Sequence, residues 1–550
     1  MAPPGAAVGS EPTRCVRCRS AHAALRVREA AYCAACYARV FDSKLRAGLE
    51  LARGALLLEG VVRPHEAGAE PRAALAVAFS GGPASAVLLH AVAHYLAVGA
   101  ASRVPGERPR LVALYVDDSA VRPGAAHEEA DAARALAARL APDAVFVCVP
   151  LEAACAHHVP CTLHDGRATL AADTADAADG RAALCDLFAG LQAGGARAGA
   201  AARSRTEDLH WILLERLLRE HAALHGCAAL LYGEHGARSA ARLLERVAKG
   251  AGHKLPVEGA AAQRTEGLYV LHPMRPFLAH EVAFYAEQHG IVPVQGEELV
   301  PRRHDAQLDE HGAPLPYEAT VNKGSIGRLT ESLVDALQRS VSSTVSTIGG
   351  TGSKLVFAEA PGGTEGAGAA EGGGGGANGG GGPGTAPRIG AKGESLVRAA
   401  RAVPCFDGVR RCPLCGFPAQ EGAAQWKAQR TVAPSEGAEH GDAADAPRVA
   451  AASCASPGLD VTPLLCYACL QTLDPHAARG EQRTLPLPAF VLDAARAAQN
   501  EAPAPLAAAV EQLDLDAAPA EPHVPGGRDH SMTRMSRDAM RAAMQDYLVE

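Results

Sequence analysis

The chain has 550 residues, 21% of them charged, and a net charge of −8 at neutral pH. At roughly 100–200 residues per domain it is too long for one compact unit, and 48% hydrophobic residues with only 4% aromatics suit helices packed on a sheet better than a β-sandwich. Its 57 glycines and 37 prolines fall short of collagen or a wholly disordered chain, and the acidic balance excludes a generally basic nucleic-acid binder, leaving room only for a local basic patch.

Residues 1–14 read as a flexible tail, and MAPPGAAVGSEPTR lacks the charged-then-apolar order of a signal peptide. Residues 15–45 form a first cysteine module, Cys15-x-x-Cys18 and, fourteen residues on, Cys33-x-x-Cys36. Two such knuckles close a tetrahedral four-thiolate shell around one structural zinc and leave no open position for water. Cysteines paired in this way, without a secretory signal, fit zinc ligands in a reducing cytosol rather than disulfides, so the expected localisation is cytoplasmic.

From 46 to 345 short apolar runs at 74–79, 111–116, 144–149 and 228–232 alternate with helical stretches at 84–98, 126–140, 207–225 and 237–249. That alternation predicts an α/β domain with a doubly wound, mostly parallel sheet and right-handed crossovers. The uncharged stretch 84–102 holds His90, His94, Tyr95 and Gly99 and follows a glycine turn, so it reads as a core helix and no membrane span is expected. Residues 151–206 interrupt the pattern and read as an insertion. Within it Cys155, His157, His158, Cys161 and His164 crowd into ten residues without a paired knuckle, and read as a neutral loop rather than a metal site.

The first apolar run ends in Ser80-Gly81-Gly82-Pro83-Ala84-Ser85 and a helix. Glycines let the backbone approach a ligand, and the helix start directs free N–H groups at an anion, so this turn is a candidate phosphate cradle. It is not a Walker loop, because the Gly-Lys-Ser/Thr ending is absent. Asp117 and Asp118 end the second run and are candidate ribose ligands or a plain turn. Arg238, Arg242 and Arg246 recur every four residues, with Lys249 and Lys254 following. The spacing puts the arginines on one helix face, a candidate track for nucleic-acid phosphates as well as an ordinary solvated face. Arg203 and Arg205 are candidates for RNA or partner contact.

Residues 346–398 contain GGGGGANGGGGPG and read as a glycine-rich linker. Residues 399–475 carry a second zinc module, Cys412-x-x-Cys415 and Cys466-x-x-Cys469, with Cys405 and Cys454 as alternative ligands. Residues 476–550 read as a tail ending in a short amphipathic helix.

Ser80-Gly-Gly-Pro-Ala-Ser85 resembles the SGGxDS signature of the PP-loop ATP pyrophosphatase superfamily, whose members adenylate a carbonyl oxygen and release pyrophosphate. AYCAACYARVF, LYVDDS, RSRTEDLHW, ARSAARLLERVAKGAGHKLP, MRPFLAHEVAFYA, SIGRLTESLVDALQRSVSSTVSTI, CPLCGFP, CYAC and the ending DYLVE are similar to the cytoplasmic tRNA 2-thiolation protein 2 family. The resemblance implies an adenine-nucleotide α-hydrolase-like sheet. It also implies a catalytic partner, tRNA 2-thiolation protein 1, with which the chain would thiolate the wobble uridine (5-methoxycarbonylmethyl-2-thiouridine) of lysine, glutamate and glutamine tRNAs. Sulfur would come from a thiocarboxylated ubiquitin-related modifier.

The departures from that pattern shape the expectation. Ala84 stands in place of the signature aspartate, and Gly233-Glu-His-Gly-Ala-Arg238 lacks the two aspartates of the catalytic relatives' Gly-His-Asn-Ala-Asp-Asp. Those carboxylates would be natural magnesium ligands beside ATP phosphates, and residues 201–209 carry no cysteine to bear sulfur. The expectation is therefore a subunit with no catalytic residues of its own, whose nucleotide cradle (Ser80, Gly81, Gly82, Ser85, Asp117) is degenerate and whose partner supplies the ATP and magnesium chemistry. A self-sufficient ATP pyrophosphatase or sulfurtransferase, and a zinc-module scaffold in modifier conjugation, are the alternatives.

Overall fold

Five strands of one sheet run parallel, as the alternation of apolar runs requires. The computed structural model describes residues 14–62, 74–100, 109–122, 128–164, 166–176, 179–192, 199–294, 299, 322–355, 391–401, 403, 410–430, 458–473 and 482–500. The strands are β1 (Leu25–Val27), β2 (Ala30–Tyr32), β3 (Ala74–Ala78), β4 (Arg110–Asp117), β5 (Val145–Pro150), β6 (His157–His164), β7 (Arg167–Leu170), β8 (Ala175–Asp176), β9 (Cys227–Tyr232), β10 (Ala262–Thr265), β11 (Leu268–Leu271), β12 (Leu459–Asp460) and β13 (Arg483–Pro488). The main sheet has the order β10-β11-β9-β3-β4-β5, parallel from β11 to β5, with β10 antiparallel at the edge.

Both faces of this sheet are covered. Helices α1 (Ala34–Val62), α2 (Pro83–Ala100) and α3 (Glu128–Leu140) pack on Leu75, Val77, Leu111, Ala113, Leu231 and Tyr269. The alternate residues Ala74, Ala76, Val112, Leu114 and Leu230 meet Leu218 and Ala222 of the opposite layer. That layer is α5 (Gly199–Leu224), which follows α4 (Gly180–Gln192) and precedes α6 (Gly236–Ala248). Strands buried on both faces read as continuous apolar runs, which is why they were visible in the sequence. The uncharged stretch after the glycine turn is α2, buried against sheet and helices. Among the described residues no helix is long and apolar enough to cross a membrane.

Residues 151–206 do more than interrupt the alternation. They supply β6, β7 and β8 of a second, antiparallel sheet, completed by β12 and β13 from the far end of the chain. The CAHHVPCTLH stretch, expected as a loop, is largely β6. It pairs with β13 over its length, Leu163 opposite Arg483 and Val159 opposite Leu487. Cys161 faces inward with Val159 and Leu163, Cys155 is buried beside them, and burial pushes both thiols up to about 12. These inert thiols belong to the core, and the histidines beside them join no group of metal-ligand geometry among the described residues. The same core takes in Leu209, Leu213 and Leu217 of α5 and the C-terminal cysteines.

The expected linker, 346–398, also has helical ends. The helix Thr344–Gly352 packs on α6, and Ala391–Arg401 lies on α1 so closely that a Cβ at Gly54 would stand 2.4 Å from the Leu396 carbonyl oxygen. The glycine tract itself, Cys405, Cys454 and the terminal amphipathic helix lie outside the described residues. So does most of the expected tail at 1–14.

The first cysteine module is tied to the sheet domain by Glu281, fully buried on the helix Ala279–Gln288. Its carboxylate accepts Tyr37 Oη at 2.9 Å, Lys44 Nζ at 2.6 Å and the Leu278 amide at 2.8 Å. Glu281→Ala leaves those donors unmatched, and because Lys44 still reaches solvent the expected cost is about 2–3 kcal/mol by denaturant titration. Tyr37→Phe removes one bond of the three and is expected to cost about 1 kcal/mol.

Candidate functional site

In a parallel sheet of this order the strand sequence reverses between β3 and β9, and the loops leaving their carboxyl ends part to form a crevice. The two loops here are Ser80–Gly82, entering α2, and Gly233–His235, entering α6. They touch. A Cβ at Gly233 would sit 2.8 Å from both the Ser85 nitrogen and its Cα, so only glycine fits there. Both helix N-termini therefore face one cavity of about 1040 Å³.

The cradle's two serine hydroxyls are engaged within the loop. The Ser80 and Ser85 hydroxyls lie 3.1 Å apart, Ser85 Oγ accepts the Ser80 amide at 3.2 Å and donates to the Gly82 carbonyl at 3.0 Å. Gly81 takes φ +75°, a conformation that favours glycine. Its carbonyl accepts the Val294 amide at 3.0 Å, and Val294 packs over it. Asp117 turns away from the cavity and accepts the Ser119 amide at 3.0 Å. Its neighbour Asp118 lines the cavity instead, accepting from Arg122 Nε at 2.7 Å and lying 2.7 Å from His210 Nε2.

The arginine face of α6 is turned inward, not to solvent. Arg242 has a 19% exposed side chain, pairs with Glu234 at 3.0 Å, and its guanidinium carbon stands 3.6 Å above the Trp211 ring centre. Arg246, 10% exposed, pairs with Asp208 and Glu258, each at 3.0 Å, and Lys249, 6% exposed, pairs with Asp208 and Glu245. Arg238 also lines the cavity. The spacing argument located one face; the helices Ile326–Ser340 and Thr344–Gly352 cover the other with apolar contacts and leave the cationic face to the crevice. Arg203 donates to the Gly324 carbonyl at 2.6 Å and Arg205 to the Leu191 carbonyl at 3.2 Å, so both hold chain segments together.

Carboxylates stand beside Arg242, Arg246 and Lys249, with Asp208 shared between the last two. Burial works against ionisation of Glu245, but Lys249 and Arg246 beside it hold its carboxyl below the usual range. Burial pushes Glu207 up, against the pull of Ser325 and Lys249. Glu207, Asp208, His210 and Trp211 lie in the stretch RSRTEDLHW, and Arg328 and Glu331 in SIGRLTESL. Sequence reasoning noted both stretches without assigning them to a site. The signal was the run of charged residues in each stretch.

Each cysteine group pairs a knuckle with a helix start. Cys15-x-x-Cys18 ends at Arg19 (φ +57°) and Cys412-x-x-Cys415 at Gly416 (φ +69°), whose amides donate to the first cysteine's carbonyl. Cys36 lies in the first turn of α1, and Cys466 and Cys469 at the start of the helix Tyr467–Leu473. In each group the four sulfurs lie within 4.8 Å of one another. Cys18 and Cys33 Sγ are 3.8 Å apart, and Cys415 and Cys466 Sγ 3.9 Å. A tetrahedron with metal–sulfur bonds of about 2.3 Å has edges of about 3.8 Å, so both groups could hold one metal ion.

The family model for cytoplasmic tRNA 2-thiolation protein 2 matches residues 325–471. A Danio rerio protein of that name is 32% identical over 150 residues, 26% of this chain and 26% of its own. The Aspergillus oryzae protein is 27% identical over 274 residues, 50% of this chain and 70% of its own. The chain resembles this family over these segments. The Homo sapiens member is 29% identical over 161 residues and 28% of its length, so the chain spans about a quarter of the length of the vertebrate members it matches. Among solved structures, U34-tRNA thiolase NcsA from Methanococcus maripaludis with its 4Fe-4S cluster aligns at TM-score 0.38 and 13% identity, over 62% of this chain and 85% of that one.

Two outcomes check the crevice. Asp118 is buried, which alone would raise its carboxyl, yet His210 and Arg122 hold it below the usual range. Its stabilising contribution is therefore full above the unfolded value of about 3.9 and is lost as pH falls through the lower folded value. Asp118→Asn is expected to cost about 1–3 kcal/mol at neutral pH, and denaturant titrations should show that gap closing below about pH 3.5. Gly233→Ala is expected to lower stability by about 1–3 kcal/mol, because backbone rather than a flexible side chain must move.

Proposed function

We propose that this chain is a member of that family and a cytosolic subunit of a tRNA 2-thiolation complex that does not itself carry out the chemistry. In this proposal a catalytic PP-loop partner, tRNA 2-thiolation protein 1, adenylates the wobble uridine of lysine, glutamate and glutamine tRNAs. It then accepts sulfur from a thiocarboxylated ubiquitin-related modifier. The present chain contributes docking surface, and the two cysteine groups hold structural zinc.

The observation that carries the non-catalytic part is the state of the crevice. It keeps the architecture of a phosphate site, two helix N-termini and a glycine bend. Yet Arg122, Arg242, Arg246 and Arg328 are each paired with a carboxylate already. A polyphosphate entering without magnesium would have to displace those pairs and meet Glu207, Glu234 and Glu245. Ala84 and Ala237 offer no metal ligand at the positions where the catalytic pattern has carboxylates. Paired and largely buried as they are, Arg242, Arg246 and Lys249 serve the crevice rather than a solvent-facing phosphate track.

The test is mass spectrometry of wobble uridines in cells lacking this chain. Loss of the 2-thio group, restored by the wild-type chain and by Ser80→Ala alike, is the expected result, together with no pyrophosphate release by the purified chain. Unchanged thiolation after deletion would refute the proposal. Conversion of ATP to AMP by the chain alone, abolished by Ser80→Ala, would replace it with a self-sufficient enzyme.

A further inference from the structure

The first cysteine module carries arginines at 14, 17, 19, 26 and 28, with Glu29 as the only carboxylate between 14 and 36. Knuckle and hairpin form one small body. Ala31 of β2 pairs with Arg26 of β1, and its carbonyl accepts the Val16 amide at 2.8 Å. All five arginines are exposed. Arg14 reaches only the Ser20 carbonyl, and Arg26 shares with Glu29 an open ion pair whose side chains are 71% and 82% exposed, a kind of pair that adds little. Arg17, Arg19 and Arg28 make no ion pair among the described residues. The crevice cations are buried and paired, and in the second module Arg411 pairs with Glu266 at 2.8 Å while Arg410 donates to the Pro463 carbonyl. Even a divalent ion in the four thiolates, with its excess of two negative charges, leaves the first module cationic.

The backbone gives a second, independent observation. Two of the three non-glycine residues with positive φ among the described residues are Arg19 (+57°) and Arg28 (+54°). Arg19 follows the second cysteine of its knuckle, and at the same place in the second module stands Gly416, at φ +69°. Arg28 is the first residue of the two-residue turn joining β1 to β2, where glycine or asparagine is the usual choice. An L side chain in this conformation is strained, so the fold alone favours glycine at both positions. Both hold an exposed cation against that preference, as residues kept for binding do.

We propose that the arginines of the first cysteine module are the local basic patch of this acidic chain and bind the phosphate backbone of tRNA. This rests on the reading that the chain serves a tRNA thiolation complex. Guanidinium forks match phosphate oxygens in pairs, and every cation of the patch is an arginine. A backbone of closely spaced single charges engages several exposed cations at once, and it releases a counterion for each. Such contacts position the nucleic acid without reading its sequence.

The full-length chain, purified with zinc, is titrated with a transcribed lysine tRNA over a range of salt concentrations, and its metal content and melting temperature are measured alongside. Arg19→Gly combined with Arg28→Gly places the residue that the backbone favours at both positions. This double variant is expected to keep the metal content and at least the melting temperature of the wild type. Its tRNA affinity is expected to fall about ten-fold, and the slope of log K against log salt to flatten by about one to two. Arg139→Glu, exposed on α3, changes the net charge by the same amount and is expected to leave affinity and slope unchanged. A wild-type slope in the double variant overturns the proposal. So does a lowered melting temperature, which would assign the two arginines to the fold. Displacement of the tRNA by polyglutamate as readily as by unlabelled tRNA would assign the patch to an acidic polypeptide and overturns it too. A wild-type chain that binds no tRNA, in cells whose wobble thiolation still depends on it, overturns the patch and leaves the thiolation reading intact. Unchanged thiolation after deletion, with the salt-dependent binding present, overturns that reading and not the patch.

Discussion

The crevice depends on one backbone approach, that of Gly233 to the first turn of α2. Without a side chain at that position β9 and β3 release their loops side by side, and the N-termini of α6 and α2 point into the same space. Any Cβ would push the end of β9 away from Ser85 and separate the two loops. The directions of Arg238 and Arg242 follow from this contact, because α6 starts three residues after it.

The crevice so formed has been filled by charge pairing within the protein. Asp118 with Arg122 and His210, Glu234 with Arg242, Asp208 with Arg246 and Lys249, and Glu331 with Arg328 make a closed set of ion pairs at low exposure. Buried pairs of this kind add little to stability compared with an apolar core, but removing one partner is expensive. They therefore hold the geometry of the crevice while opposing entry of a highly charged ligand. An anion entering this crevice would meet cations that already have carboxylate partners.

The second core joins distant parts of the chain. β6 from the insertion and β13 from near residue 485 share a register, and the C-terminal cysteines lie within the same apolar cluster as Leu184, Leu213 and Leu485. The alternation of Val159, Cys161 and Leu163 has the period of two of a strand, although a proline such as Pro160 is ordinarily disfavoured inside one. In the fold Pro160 stands opposite Pro486, and its carbonyl accepts the Ala171 amide. A single segment could not reveal that its partner would carry a proline at the matching position.

The sequence by itself determined the parallel sheet, the two glycine-bearing loops and both cysteine groups, because each rests on a local pattern: continuous apolar runs, a strand–glycine–helix junction, and thiols two residues apart. It also determined that α6 has one cationic face, since helical spacing depends on nothing beyond the helix. Only the tertiary structure decided what that face meets. Arg246, Lys249 and Lys254 look alike in sequence, yet Arg246 meets carboxylates from α5 and residue 258, Lys249 meets Asp208 and Glu245, and Lys254 lies over the ring of Phe417. The electrostatic role of a buried charge is set by the groups that folding brings within a few ångströms of it, and no local period encodes them.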